Sequence, residues 1–193
     1  MSSLNSRIEL LENDLKASPP RISVHHDLPF AIFRYDPEEE WALRREVRLL
    51  ATRLEETGKK TAIIKMSELL WQAIQESEGI EAVVELENDR GFLAAQEQVT
   101  TYLSDRDWRP LAGLLTERLQ ALDSATEVVF LMRAAAMAPG LYYMSKLLDQ
   151  MQGKTTLITI LFYPGSIEGT TGLRFMALKD WDALGNYRVK IYG

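Results

Sequence analysis

The stretch T-T-L-I-T-I-L-F-Y-P-G-S-I-E-G-T-T-G-L-R-F-M-A-L, Thr155 to Leu178, decides the fold. Its first part, Thr155 to Phe162, is β-branched and apolar with no charge. Such a run fits a strand buried on both faces of a parallel sheet. It breaks at Tyr163-Pro164-Gly165, which reads as a loop, and a polar segment then leads to a second apolar run, Leu173 to Leu178. In open α/β sheets, loops leaving the carboxyl ends of buried strands are where ligands and partners meet the fold.

Working outward, the same strand-like composition recurs at Phe30–Tyr35, Thr61–Met66, Thr126–Arg133 and Tyr187–Tyr192. Helical segments separate the first four strands. Asp36-Pro37-Glu38-Glu39-Glu40 is a helix start, because Asp caps, Pro suits the first helical position and acids favour the positive end of the dipole. That helix runs to about Thr57, with Leu43, Val47, Leu50 and Leu54 on one face and Arg44, Arg45, Arg48 and Arg53 elsewhere; Gly58 stops it. A second helix follows from Ser67 to Ser77, and a helical segment over 80–122 (Val83, Leu86, Leu93, Val99, Tyr102 and onward) is too long for one crossover. After the Ala134–Pro139 loop, Gly140 to Met151 reads as another helix.

Leu4, Ile8, Leu11 and Leu15 form one face of an amino-terminal helix closed by Ser18-Pro19-Pro20. The whole therefore predicts a single α/β domain over 1–193, with helix and linker over 1–20 and a helical insertion over 80–122. Strands separated by helices imply a three-layer, Rossmann-like or P-loop-like sandwich with a mostly parallel sheet. The last strands lie too close in sequence for helical crossovers, so antiparallel pairing is expected at the carboxyl end, with a turn around Lys179–Asn186.

Composition excludes several chemistries. The 193 residues include no Cys, which removes disulfides, Cys-based zinc sites and thiol nucleophiles. No apolar run is long enough for a membrane span, and Met1–Arg7 lacks a signal-peptide layout. Net charge is -6, which opposes electrostatic attraction of the whole chain to nucleic acid. His25 and His26 are the only histidines; neighbours in sequence point apart, and no acid stands at ligand spacing, so a solvated loop accounts for them.

Gly165-Ser166-Ile167-Glu168-Gly169-Thr170-Thr171 superficially suggests a phosphate loop. It has three residues between the glycines, no lysine, and an acid where phosphate would be repelled. No Gly-x-Gly-x-x-Gly and no Gly-x-Ser-x-Gly occurs. No catalytic, cofactor-binding or metal-binding residue is assigned. What remains is a candidate interaction surface at the strand ends: Arg34, Tyr35, Lys65, Ser67, Arg133, Tyr163, Pro164, Gly165, Ser166 and Glu168. Arginines converging there would suit an anion or a partner's carboxylate, unless each pairs with a local acid.

Five strings go further: P-F-A-I-F-R-Y-D-P-E-E-E-W at Pro29–Trp41, S-E-L-L-W at Ser67–Trp71, L-F-Y-P-G at Leu161–Gly165, G-L-R-F at Gly172–Phe175 and N-Y-R at Asn186–Arg188. In this order the chain resembles the BrxB family, a small component of BREX bacteriophage-exclusion loci. The resemblance carries no catalytic residues over. It implies a cytoplasmic phage-defence protein working beside a site-specific adenine methyltransferase, a large ATPase and a PglZ-type protein of the alkaline-phosphatase superfamily. The expected role is a non-catalytic adaptor that docks on the PglZ-type protein, without cofactor, membrane or direct DNA contact. The alternative is a degenerate nucleotide- or nucleic-acid-binding sensor using Arg34, Arg133 and the basic face of the Arg44 helix. A hidden hydrolase would require acids and a metal around Tyr163.

Overall fold

A computed structural model of the chain describes residues 3–22, 27–169, 172–178 and 187–193. His25 and His26, Thr170 and Thr171, and the expected turn over Lys179–Asn186 lie outside the described residues.

The elements follow in the order α1 (Leu4–Lys16), β1 (Phe30–Tyr35), α2 (Glu40–Glu55), β2 (Lys60–Lys65), α3 (Met66–Glu76), α4 (Gly79–Arg90), α5 (Phe92–Ser104), α6 (Leu111–Gln120), β3 (Glu127–Met132), α7 (Met144–Met151), β4 (Thr159–Glu168), β5 (Gly172–Phe175) and β6 (Lys190–Tyr192). The sheet order is β2-β3-β4-β1-β6, all parallel, while β5 pairs antiparallel with β4. This is a three-layer α/β sandwich with a mostly parallel sheet.

Alternation along the strands sorts side chains into two cores. Ala31, Phe33, Val128, Phe130, Ile160 and Phe162 face α1 and α2, meeting Ile8, Leu11 and Leu15 of α1 and Leu43, Val47 and Leu50 of α2. Phe30, Ile32, Val129, Leu131, Leu161 and Tyr163 face the other way, onto α3 to α7. Both faces of β1, β3 and β4 are thus apolar, which explains their continuous hydrophobic runs. Phe162 is at the centre of the first core, its ring 5.3 Å from Phe33 and 5.4 Å from Phe130. The amino-terminal helix covers the sheet as its apolar face requires, and it is tied to the far edge strand. Asp14 accepts from Lys190 Nζ at 2.6 Å and from Tyr192 Oη at 2.8 Å.

Several boundaries differ from the sequence reading. The segment 80–122 resolves into α4, α5 and α6, which complete the second helical layer; Leu93 is 71% exposed at the α4–α5 corner. Helix α7 starts at Met144 and not at Gly140, because a 3-10 turn at Ala134–Met137 and a further turn occupy the chain up to 141. Of the two late strands, β5 is antiparallel as expected, whereas β6 joins β1 in parallel. The largest difference is at the opening stretch: β4 does not stop at Tyr163 but continues to Glu168.

Candidate functional site

Strands β1 and β4 are neighbours, yet the chain leaves them towards opposite edges: from β1 to β2 on one side, and from β4, through β5, to β6 on the other. Such a switch point opens the crevice in which open α/β sheets hold ligands. Among the described residues, Arg34, Arg7 and the β4–β5 hairpin meet at this place.

Arg34, 6% exposed, donates from Nη1 to Asp36 Oδ1 at 2.6 Å and to the Gly165 carbonyl at 3.4 Å. Arg7 of α1 reaches over the same end of β1. Its Nη1 donates to the Arg34 carbonyl at 2.5 Å, its Nη2 to Glu39 at 3.1 Å, and its guanidinium lies 5.6 Å from the Phe33 ring centre. Tyr35 is fully buried and its hydroxyl donates to Glu40, which in turn accepts from Arg44 Nε at 2.7 Å. Burial, and then the Glu40 carboxylate, push the Tyr35 hydroxyl well above the ordinary tyrosine range.

Tyr163-Pro164-Gly165, expected as a loop, is buried strand. Pro164 lies opposite Tyr35 at the end of β1, where its missing N–H costs little ladder, and its carbonyl accepts from Met176 N–H at 2.8 Å. Gly165 pairs with Phe175, and a Cβ there would overlap the Arg174 carbonyl oxygen. The glycine thus serves close backbone approach. Tyr163 packs edge-on against Phe175 and Tyr187, 5.5 and 6.1 Å between ring centres, and its hydroxyl is raised by burial and then by Tyr187. Ser166 is half-buried and Glu168 exposed on the β4–β5 hairpin, where Glu168 pairs with Arg174.

A second feature on the same carboxyl edge is open. Between α2 and the edge strand β2 lies a groove of about 330 Å³ with an apolar floor of Val47, Ile63 and Met132. Arg44, Arg48, Lys65, Arg133 and Trp41 also line it. Trp41 is 78% exposed, with the Arg44 guanidinium 4.6 Å from the ring centre. Lys65 pairs with Glu68 at 2.5 Å and Arg44 with Glu40, but no carboxylate pairs with Arg48 or Arg133 among the described residues. Arg133 projects from a left-handed backbone position, φ 60°, that L-residues seldom adopt.

The ten surface residues read from the sequence therefore separate. Lys65 and Arg133 meet at the groove. Arg34, Tyr35, Tyr163, Pro164 and Gly165 are buried at the ends of β1 and β4, Ser166 and Glu168 sit on the β4–β5 hairpin, and Ser67 is half-buried in the first turn of α3. The reading missed Trp41 and Ile63. Trp41 carried a signal, for it stands off the apolar stripe of α2 and shares helical spacing with Arg44, Arg45 and Arg48. Ile63 carried none, since its exposure depends on β2 being the edge.

No group of three or more His, Asp or Glu among the described residues is placed to hold a metal ion. Fold and site define a three-layer α/β protein in which, among the described residues, Arg34 and Arg7 bond to the chain's own groups at the β1–β4 switch point and a cationic groove opens beside α2. A family model described as BREX protein BrxB matches residues 62–190, and the chain belongs to the BrxB family. It is accordingly a component of BREX phage-defence systems. The match contains the strings at Ser67–Trp71, Leu161–Gly165, Gly172–Phe175 and Asn186–Arg188, and begins after Pro29–Trp41. No curated protein and no solved structure matches the chain. No helix among the described residues is long and apolar enough to cross a membrane.

Proposed function

We propose that this chain is a non-catalytic adaptor of a BREX-type phage-defence complex, and that its principal partner is the PglZ-type protein. The observation that supports this reading is the internal pairing of the arginines at the β1–β4 switch point. The place where this architecture holds small ligands is occupied by the Arg34–Asp36 pair, by Arg7 and by the backbone of β5 packed onto Gly165. Binding capacity then resides on outer surfaces, as in an interaction module.

Co-expression of the tagged chain with the other system proteins tests it. The PglZ-type protein is expected to co-purify, and retention of no component even at low salt would overturn the reading.

One observation favours a second reading, a nucleotide- or nucleic-acid-binding sensor: Arg44, Arg48, Lys65 and Arg133 gather in one groove beside an exposed Trp. Net charge of -6 opposes it. Thermal melts with nucleotides and short DNA separate the two, because a ligand present at 100 times its Kd stabilises by about 2.7 kcal/mol. The adaptor reading expects no such shift.

A further inference from the structure

We infer that the α2–β2 groove is a docking site for an acidic segment of a partner protein that inserts a large apolar side chain. This rests on the adaptor reading and assigns it a surface and a partner chemistry.

The floor asks for an apolar occupant. Val47, Ile63 and Met132 come from a helix and two strands, and Ile63 is 44% exposed although it lies between strand neighbours that pack on the core. An apolar side chain seated there removes this surface from water. The rim asks for acids. Arg48 and Arg133 have no carboxylate partner among the described residues, although the chain carries 28 acidic and 22 basic side chains. In a protein with that excess of acids, two arginines left without carboxylates beside one apolar floor give charge complementarity to an acidic ligand.

Trp41 adds an anchor of the type enriched at binding hot spots. Its ring lies against the Arg44 guanidinium, which is itself paired with Glu40. Strand β2 is also the end of the sheet, and no strand pairs with its outer side among the described residues.

A protein segment fits better than a nucleic acid. Strand-tracking grooves for single-stranded nucleic acid offer successive aromatic platforms. This groove offers one Trp, and its floor is aliphatic.

The test uses the full chain and two probes. The first is the co-purifying system component, compared for wild type, Trp41→Ala and the double variant Arg48→Glu/Arg133→Glu; thermal melts confirm that each is folded. Retention is expected to fall at least about tenfold in both variants. A photo-crosslinking residue at position 63 is expected to link to a partner segment rich in Asp and Glu around a large apolar residue. The second probe is a short fluorescein-labelled peptide of Glu and Asp around a central Leu-Trp pair, with a control in which that pair is Ser-Ser. Wild type is expected to prefer the first peptide, and the double variant to lose it.

If wild type retains no component, the adaptor reading fails, and the peptide comparison still decides the groove. If a component is retained equally by the variants, or the two peptides bind alike, the groove inference fails while the adaptor reading stands. Tight binding of a fluorescein-labelled oligo-dT that the double variant abolishes would overturn the acidic-segment assignment in favour of nucleic acid.

Discussion

Arginines stand at two places on the carboxyl edge of the sheet, and the two places use them in opposite ways. In the β1–β4 crevice Arg34 and Arg7 are buried, and each meets an acid and a carbonyl of the same chain. At the α2–β2 groove Arg48 and Arg133 are exposed, beside an apolar floor and an exposed Trp. The first arrangement stabilises the fold; the second leaves charge available to something else. Residue type is the same at both, so burial and partner geometry decide the role.

Substitutions at the two places should separate along that line, with stability lost at one and binding at the other. The largest loss is expected behind the crevice, at Phe162. Truncating this fully buried ring to Ala, with its contacts to Phe33 and Phe130, should cost about 4 kcal/mol in denaturant unfolding. Gly165→Ala should cost about 3 kcal/mol, because the Cβ forces β5 away from β4 at Arg174. A loss under about 1 kcal/mol would show that the β4–β5 approach is loose. Arg34→Met should cost about 2 kcal/mol, since it strands the Gly165 carbonyl and the Asp36 carboxylate, the latter half in solvent.

The tie between α1 and β6 gives a pH signature. Burial alone would raise the Asp14 carboxyl, but hydrogen bonds from Lys190 and Tyr192 outweigh it and hold the group below its ordinary value. A carboxyl depressed in the folded state contributes stability that is present above the unfolded value of about 3.9. That stability is lost as pH falls through the lowered folded value. Wild type should therefore lose stability on acidification in that window, and Asp14→Asn should flatten the slope while lowering stability at neutral pH. An unchanged acid limb in Asp14→Asn would remove Asp14 from the account.

At the groove the smallest stability effect is expected. Trp41→Ala touches a side chain that is 78% exposed and should change unfolding free energy by about 0.5 kcal/mol or less, while partner retention falls. A large stability loss there would erase the contrast between the two places.

Much of this molecule was legible in its residue pattern. Continuous apolar runs and 3.6-residue periodicity are local, so the strands at Phe30–Tyr35 and Glu127–Met132, the stripe of α2 and the face of α1 could be placed from sequence. The failures of local reading have a common cause. Pro164 and Gly165 look like loop residues by themselves, and they become strand because β1 ends opposite Pro164 and β5 folds back onto Gly165. The left-handed turn at Arg133 likewise carries no signature in an Arg-Ala-Ala run.

Residue order was enough for the parallel α/β class and the family resemblance, and it shows that Gly165–Thr171 lacks the phosphate-loop lysine and spacing. Which strand-end residues are available emerged only when the chain was folded. Arg34 is 131 positions from the carbonyl that it meets, and Trp41 reaches a groove shared with Ile63, Met132 and Arg133. Contacts over such separations follow from strand order and sheet edge, and neither is encoded in any local stretch of the chain.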